Sequence, residues 1–119
     1  MRPNRHKAEA RGRRAETLCA WWLRLQGWRI LARRVRTRMG EVDLIARRGR
    51  MVAFIEVKAR ATVADLDFAI DEYRLSRVAA AARMLAPRYA RSGDDMRIDV
   101  MLLAPGRLPR HLVNVWHGG

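Results

Sequence analysis

The sequence holds a single cysteine, two lysines and no apolar run long enough to span a bilayer, and each scarcity excludes something. One cysteine cannot form an internal disulfide. Cys19 sits in a stretch of helical pattern, which points to the reducing cytoplasm and to a buried, inert thiol. Without a 20-residue apolar stretch there is no transmembrane helix. The arginines are spread along the chain rather than gathered on one amphipathic segment, which argues against a membrane-surface protein. Nor is Arg13-Arg14 an export signal, because Glu16 and Arg24 interrupt the residues behind it.

Acid is also scarce. Twelve carboxylates face 25 basic residues, a formal net charge of +13. Such a field draws polyanions and makes their binding fall with salt, so nucleic acid is the expected partner, DNA before RNA. Of the basic residues only Lys7 and Lys58 are lysines. Where arginine is used almost everywhere, a lysine in the ordered body marks a place for a compact charge or for an amine that can change protonation. Codon bias is the competing explanation. With 119 residues, half of them hydrophobic and 31% charged, the chain has the length and balance of one globular domain. It divides into a basic, flexible arm over residues 1–10 and a single domain over 11–119.

From Arg11 the pattern is helical, with Ala15, Leu18, Cys19, Trp22 and Leu25 at spacings of three and four and Gly27 placed to end the helix. Trp28 to Val35 reads as an edge strand, given its arginines. A hairpin follows, Val42 to Ala46 and Met51 to Val57, around the four residues Arg47-Arg48-Gly49-Arg50. A helix is expected over Leu66 to Ala86, closed by Pro87. After the polar loop Ser92-Gly93-Asp94-Asp95 come strands at Arg97 to Leu103 and Leu112 to Trp116, with Pro105-Gly106 in the turn region between them. The order is α-β-β-β-α-β-β.

A hairpin paired symmetrically about its loop sets Glu41 opposite Glu56 and Asp43 opposite Phe54, which places Glu41, Asp43, Glu56 and Lys58 on one face. Carboxylates crowded in this way repel unless a cation lies between them. An all-oxygen ligand set without His or Cys selects Mg²⁺ or Mn²⁺. Such an ion activates water and stabilises charge on a phosphate, while a nearby lysine orients or deprotonates the attacking water. The competing reading is an ordinary solvated, salt-bridged patch. Against it stands the apolar run Val52 to Ile55, which suggests a strand covered on both faces with charges at its end.

Three stretches, Arg11 to Glu16, Gly40 to Ala46 and Phe54 to Arg60, resemble the signature blocks of the YraN-like family of small bacterial proteins. That family is similar to archaeal Holliday junction resolvases in the PD-(D/E)XK nuclease superfamily. The resemblance spans about Arg11 to Leu103. It implies an α/β, restriction-endonuclease-like fold, a mixed central sheet flanked by helices. It implies a metal held by Asp43 and Glu56, Lys58 as the catalytic lysine, Glu16 as a further acidic contributor and, by analogy with the resolvases, a homodimer. Glu16 has a simpler alternative, since a Glu in a helix's first turns is favoured by the helix dipole. Glu41 stands either behind the ligands or beside Arg36 and Arg38 to balance them. Where family members carry Lys-Gln, this chain has Arg74-Leu75, which keeps the charge and removes whatever contact the amide makes. Asp99 matches a further family block and is read as structural.

These features support a metal-dependent nuclease cutting DNA, branched or structured DNA included, with Arg33, Arg34, Arg36, Arg38, Arg60 and Arg74 on backbone phosphates. The alternative is a non-catalytic nucleic-acid-binding or adaptor protein that keeps the fold. Trp21, Trp22, Trp28 and Trp116 are available to stack on bases, with core packing favoured for Trp22.

Overall fold

The computed structural model describes residues 5–62, 64 and 71–116. Its elements follow the expected order: α1 (Arg5–Leu25), β1 (Arg29–Thr37), β2 (Gly40–Arg48), β3 (Met51–Ala59), α2 (Glu72–Tyr89), β4 (Asp95–Leu103) and β5 (Arg110–Leu112). The strands form one sheet in the order β1-β2-β3-β4-β5, antiparallel except for the parallel pair β3–β4. A parallel pair needs a crossover connection, and α2 lies in it. The result, among the described residues, is an α/β fold with a mixed sheet and two helices.

The apolar residues of β3 explain the layering. Val52, Ala53, Phe54 and Ile55 are all fully buried, so this strand is covered on both faces. Val52 and Phe54 join Ile45, Val78, Leu85 and Val100 in the core that includes α2. Ala53 and Ile55 join Cys19, Leu23, Leu44 and Met101 in the core that includes α1. Asp99 is also fully buried. Its carboxylate accepts hydrogen bonds from Arg97 Nε at 3.0 and 3.1 Å and from the Asn114 N–H at 2.8 Å, and lies 2.7 Å from His111 Nε2. This network ties β4 to β5 and the segment after it, which accords with a structural role. Among the described residues, no helix is long and apolar enough to cross a membrane.

Several boundaries differ from the sequence-based expectations. The first helix begins at Arg5, so residues 5–10 of the expected arm are helical; residues 1–4 lie outside the described residues. Its buried face is Ala15, Glu16, Cys19, Ala20 and Leu23, while Leu18 and Leu25 are 55% and 80% exposed. The run Leu18 to Leu23 is apolar almost all round, so periodicity alone does not select a face, and the small Ala and Cys side chains let the helix approach the sheet. Gly27, at φ 90°, does end the helix. The Trp28 N–H donates to Leu23 O and the Gly27 N–H to Arg24 O, both at 3.0 Å, the Schellman arrangement.

The central hairpin is tighter than expected. Arg48 pairs with Met51 and Ala46 with Ala53, which leaves a two-residue turn, Gly49-Arg50. Gly49 has φ 61°, the left-handed backbone that a type II′ turn requires at its first central residue. The register is therefore two residues away from the symmetric four-residue-loop pairing. Because strand side chains alternate with period 2, a two-residue shift keeps every residue on its face.

The second helix starts at Glu72, not Leu66. Asp71 caps it from an extended backbone (φ −132°, ψ 121°), its Oδ1 accepting from the Tyr73 and Arg74 N–H groups at 2.8 and 3.4 Å. The expected residues 66–70 lie outside the described residues. Pro87 does not end the helix but sits within its last turn, where a missing N–H forfeits one bond near an end that frays in any case. The last strand is Arg110–Leu112 rather than Leu112 to Trp116, and β1 lies at the sheet edge as expected.

Candidate active site

Asp43 lies on β2, Glu56 and Lys58 on the neighbouring β3. The Val57 N–H, between Glu56 and Lys58 in the chain, donates to Asp43 Oδ2 at 2.8 Å. This bond fixes the aspartate against the strand that carries the other two residues. Glu56 and Lys58 are 7% and 6% exposed, and Lys58 Nζ lies 3.1 Å from Glu56 Oε1. Arg74 Nε approaches the same oxygen at 3.5 Å from α2. A charged pair this deeply buried requires each partner to satisfy the other.

Helix α2 closes over the carboxylates because β2 begins with glycine. A Cβ at Gly40 would stand 2.8 Å from the Arg77 carbonyl oxygen, so the close approach of helix and strand depends on its absence. Between them opens a cavity of ≈ 550 Å³, lined by Glu41, Asp43, Glu56, Asp71, Arg74 and Arg77 among others. Four carboxylates in one cavity of so basic a protein is a local reversal of charge.

Glu16 reaches the region from the other layer. It is 7% exposed on α1, and Arg34 Nε holds its Oε1 at 2.6 Å. Arg34 adopts φ 53°, a conformation costing an L-residue about 1–2 kcal/mol. The consequences are electrostatic. Burial pushes the Asp43 carboxyl from its ordinary 3.8 up to about 7; the Val57 hydrogen bond opposes this, and Glu16, Glu56 and Glu41 add to it by repulsion. Burial first, and then Glu16 and Asp43, push the Cys19 thiol up to about 12. Cys19 is fully enclosed, the buried position that the sequence suggests.

The structure thus brings Asp43, Glu56, Lys58 and Glu41 to one region and sets Glu16 within electrostatic reach of Asp43. The six arginines expected on phosphates divide. Arg34 and Arg74 bind Glu16 and Glu56, Arg33 donates to Thr17 Oγ1 at 2.8 Å, and Arg36 lies 3.5 Å from Glu41. Arg38 is exposed, and Arg60 is half-buried with Nη1 donating to Ala59 O at 2.8 Å. Leu75 is a core residue on the buried face of α2, 3% exposed, so its side chain faces the sheet rather than the cavity. Of the tryptophans, Trp28 is buried between Arg48 and Arg97, whose guanidinium carbons lie 4.6 and 5.3 Å from its ring centroid, and Trp21 is exposed beneath Arg24. Sequence reasoning missed Asp71 and Arg77. An Asp immediately before a helical run is a capping signal and marks Asp71; nothing in the sequence singles out Arg77.

Fold and site together define an α/β protein with a buried acid–lysine cluster at the centre of a mixed sheet. Residues 15–103 match the model of the uncharacterised protein family UPF0102, and the chain belongs to that family. It is 74% identical to a UPF0102 protein of Sphingopyxis alaskensis over 112 residues, 94% of this chain and 97% of the relative. A UPF0102 protein of Rhizorhabdus wittichii is 63% identical over 114 residues (96% and 97%), and one of Erythrobacter litoralis 62% over 112 (94% and 97%). The resemblance drawn from the three sequence blocks and this membership agree.

Proposed function

We propose that the protein is a metal-dependent phosphodiesterase of the PD-(D/E)XK kind that cleaves nucleic acid, DNA by preference, in the cytoplasm. The observation that carries the reading is the meeting of Asp43 and Glu56 at one cavity, with Lys58 Nζ 3.1 Å from Glu56 Oε1 and the Val57 hydrogen bond tying Asp43 to the strand that carries both.

The residues fit a hydrated cation rather than a closed cage. Among the described residues, no group of three or more His, Cys, Asp or Glu side chains is gathered to hold a metal alone. Mg²⁺, however, is commonly bound through one or two carboxylates, with waters and substrate phosphates completing the shell. Asp43 and Glu56 would supply those two, and their all-oxygen chemistry suits Mg²⁺ or Mn²⁺. Bound there, the ion would supply Lewis-acid charge toward a phosphate and a more acidic water. The chain's own groups do the rest. Lys58, fixed by Glu56, directs its ammonium at the water or the phosphate oxygen, and Arg74 and Arg77 at the cavity wall attract the phosphodiester.

The test is incubation with supercoiled, single-stranded, flap and four-way-junction DNA under Mg²⁺, Mn²⁺ or EDTA. Cleavage is expected with metal and lost in Asp43→Asn and Lys58→Ala. Cleavage that survives EDTA, or that both variants retain, would sink the mechanism. One observation favours a second reading, a binding or adaptor module: Lys58 and Arg74 already neutralise Glu56, and Arg34 neutralises Glu16. Salt-sensitive binding without cleavage under every metal would decide for it. Light scattering tests the homodimer proposed by analogy with the resolvases.

A further inference from the structure

At the same end of β3, on the side of α1, a second cavity of ≈ 360 Å³ opens beside the turn that follows β4. It differs from the acidic one in its charge balance and in its apolar wall. Among the described residues three arginines line it, Arg14 from α1, Arg60 just after β3 and Arg107 from the turn, and no carboxylate does. Among the described residues none of the three arginines makes an ion pair. Its remaining wall is apolar, with Leu18, Leu103 and Pro105 prominent.

The parts are held in place. The Arg60 N–H donates to Leu103 O at 3.0 Å and its Nη1 to Ala59 O at 2.8 Å, which sets the guanidinium at the rim. The turn closes through the Arg107 N–H to Ala104 O at 3.2 Å, with Gly106 at φ 73° as its third residue. That is the type II arrangement, with Pro at the second position and Gly at the third. Leu18 is 55% exposed, a large apolar side chain with no core to join.

We infer that this cavity seats one unpaired nucleotide, its phosphate on Arg14, Arg60 and Arg107 and its base against Leu18, Leu103 and Pro105. Guanidinium forks match phosphate oxygens, and a cavity of this size lies at the lower end of the range that holds small ligands, about 300–1,000 Å³. A bare anion would have no use for the apolar wall, and an apolar ligand none for three arginines. The inference rests on the nucleic-acid reading above and extends it to a preference for single strands. Arg60 lies four residues beyond Glu56, roughly 13 Å along a strand at ~3.3 Å per residue. The two cavities open on opposite faces of the sheet, so a strand joining them would pass round the end of β3 and span more than the about four nucleotides that this distance takes at ~3.4 Å each.

Fluorescence anisotropy in EDTA, where no metal-dependent cutting occurs, tests it with a labelled 12-nucleotide single strand and a blunt duplex of the same length. The single strand is expected to bind at least tenfold more tightly. Arg14→Ala with Arg107→Ala should weaken single-strand binding about tenfold and flatten its salt dependence, while duplex binding changes less than twofold. Leu18→Ala should weaken single-strand binding severalfold with no change in salt slope. Equal losses on both DNAs would reduce the arginines to part of the general field and overturn the inference. So would an inert Leu18→Ala together with equal competition by inorganic phosphate and a mononucleotide, the behaviour of a plain anion site. The two readings fail separately. If no DNA is ever cut but the variants still lose single-strand binding, the nucleotide seat stands without the nuclease; if cutting proceeds and the variants bind as the parent does, the reverse holds.

Discussion

Asp43 carries a cost in the folded chain that its place in the sequence does not announce. A short polar side chain on a strand is ordinary, but here its carboxyl keeps its proton up to about pH 7, against 3.8 unperturbed. The direction of the linkage follows. Between about pH 4 and 7 the folded state binds a proton that the unfolded state has lost, so this group's contribution makes stability fall as pH rises through that window. Above it the folded protein bears the cost of a half-buried carboxylate crowded by Glu16, Glu56 and Glu41, on the order of a few kcal/mol. Asp43→Asn keeps an oxygen to accept from Val57 but carries no charge. At pH 8 without metal the variant should melt several degrees higher than the parent, with the difference vanishing near pH 4. Millimolar Mg²⁺ should raise the parent's Tm at pH 8 and leave the variant's unchanged, as binding to the folded state alone requires. Thermal melts followed by circular dichroism check both. A variant less stable than the parent at pH 8 would show that the carboxylate is satisfied in some other way. The three site residues were legible in the sequence because acid and lysine interrupt an apolar strand. The raised proton affinity was not, since it depends in part on Glu16, which arrives from a helix 27 positions earlier in the chain.

For the elements, legibility followed the strength of local signals. Order and type of all seven elements can be read from periodicity and from Gly and Pro punctuation. The hairpin register could not, because Arg47 and Arg48 look like loop residues and yet are paired strand residues; Arg47 is held by Asp94 at 2.7 Å, and that contact holds the Asp94 carboxyl down at about 2. The difference in register left the site intact only because it was an even number of residues. The placement of α2 was equally hidden, since it turns on a glycine whose role is to be small. Gly40→Ala would put a methyl group 2.8 Å from the Arg77 carbonyl, and a helix backbone cannot yield as a flexible side-chain tip can. The variant should lose about 1–3 kcal/mol, as overpacked sites do, and displace Arg74 from Glu56. Urea denaturation measures the first effect and loss of any metal-dependent activity, at unchanged secondary structure, the second. If Gly40→Ala is as stable as the parent, helix and strand are not held at this distance by their packing.

The molecule as a whole carries +13, but its arginines are not equivalent, and the fold says which of them a polyanion can use. Arg97 is 18% exposed and spends its guanidinium on the fully buried Asp99. Arg36 is 85% exposed and approaches Glu41 at 3.5 Å, and Arg38 is exposed on the turn beside it. Each arginine that neutralises a phosphate adds about 0.9 to the steepness of log K against log salt on duplex DNA. Removing Arg36 or Arg38 should therefore flatten the slope by about 0.9 apiece and leave the melting temperature close to that of the parent. Arg97→Gln should do the opposite. It leaves the slope unchanged and lowers stability by about 2–4 kcal/mol, because a buried carboxylate loses its charged partner. Duplex binding measured at several salt concentrations, paired with thermal melts of the same three variants, separates the two classes. If all three variants flatten the slope equally, the arginines act as one diffuse field and the ion pairs within the fold do not sort them.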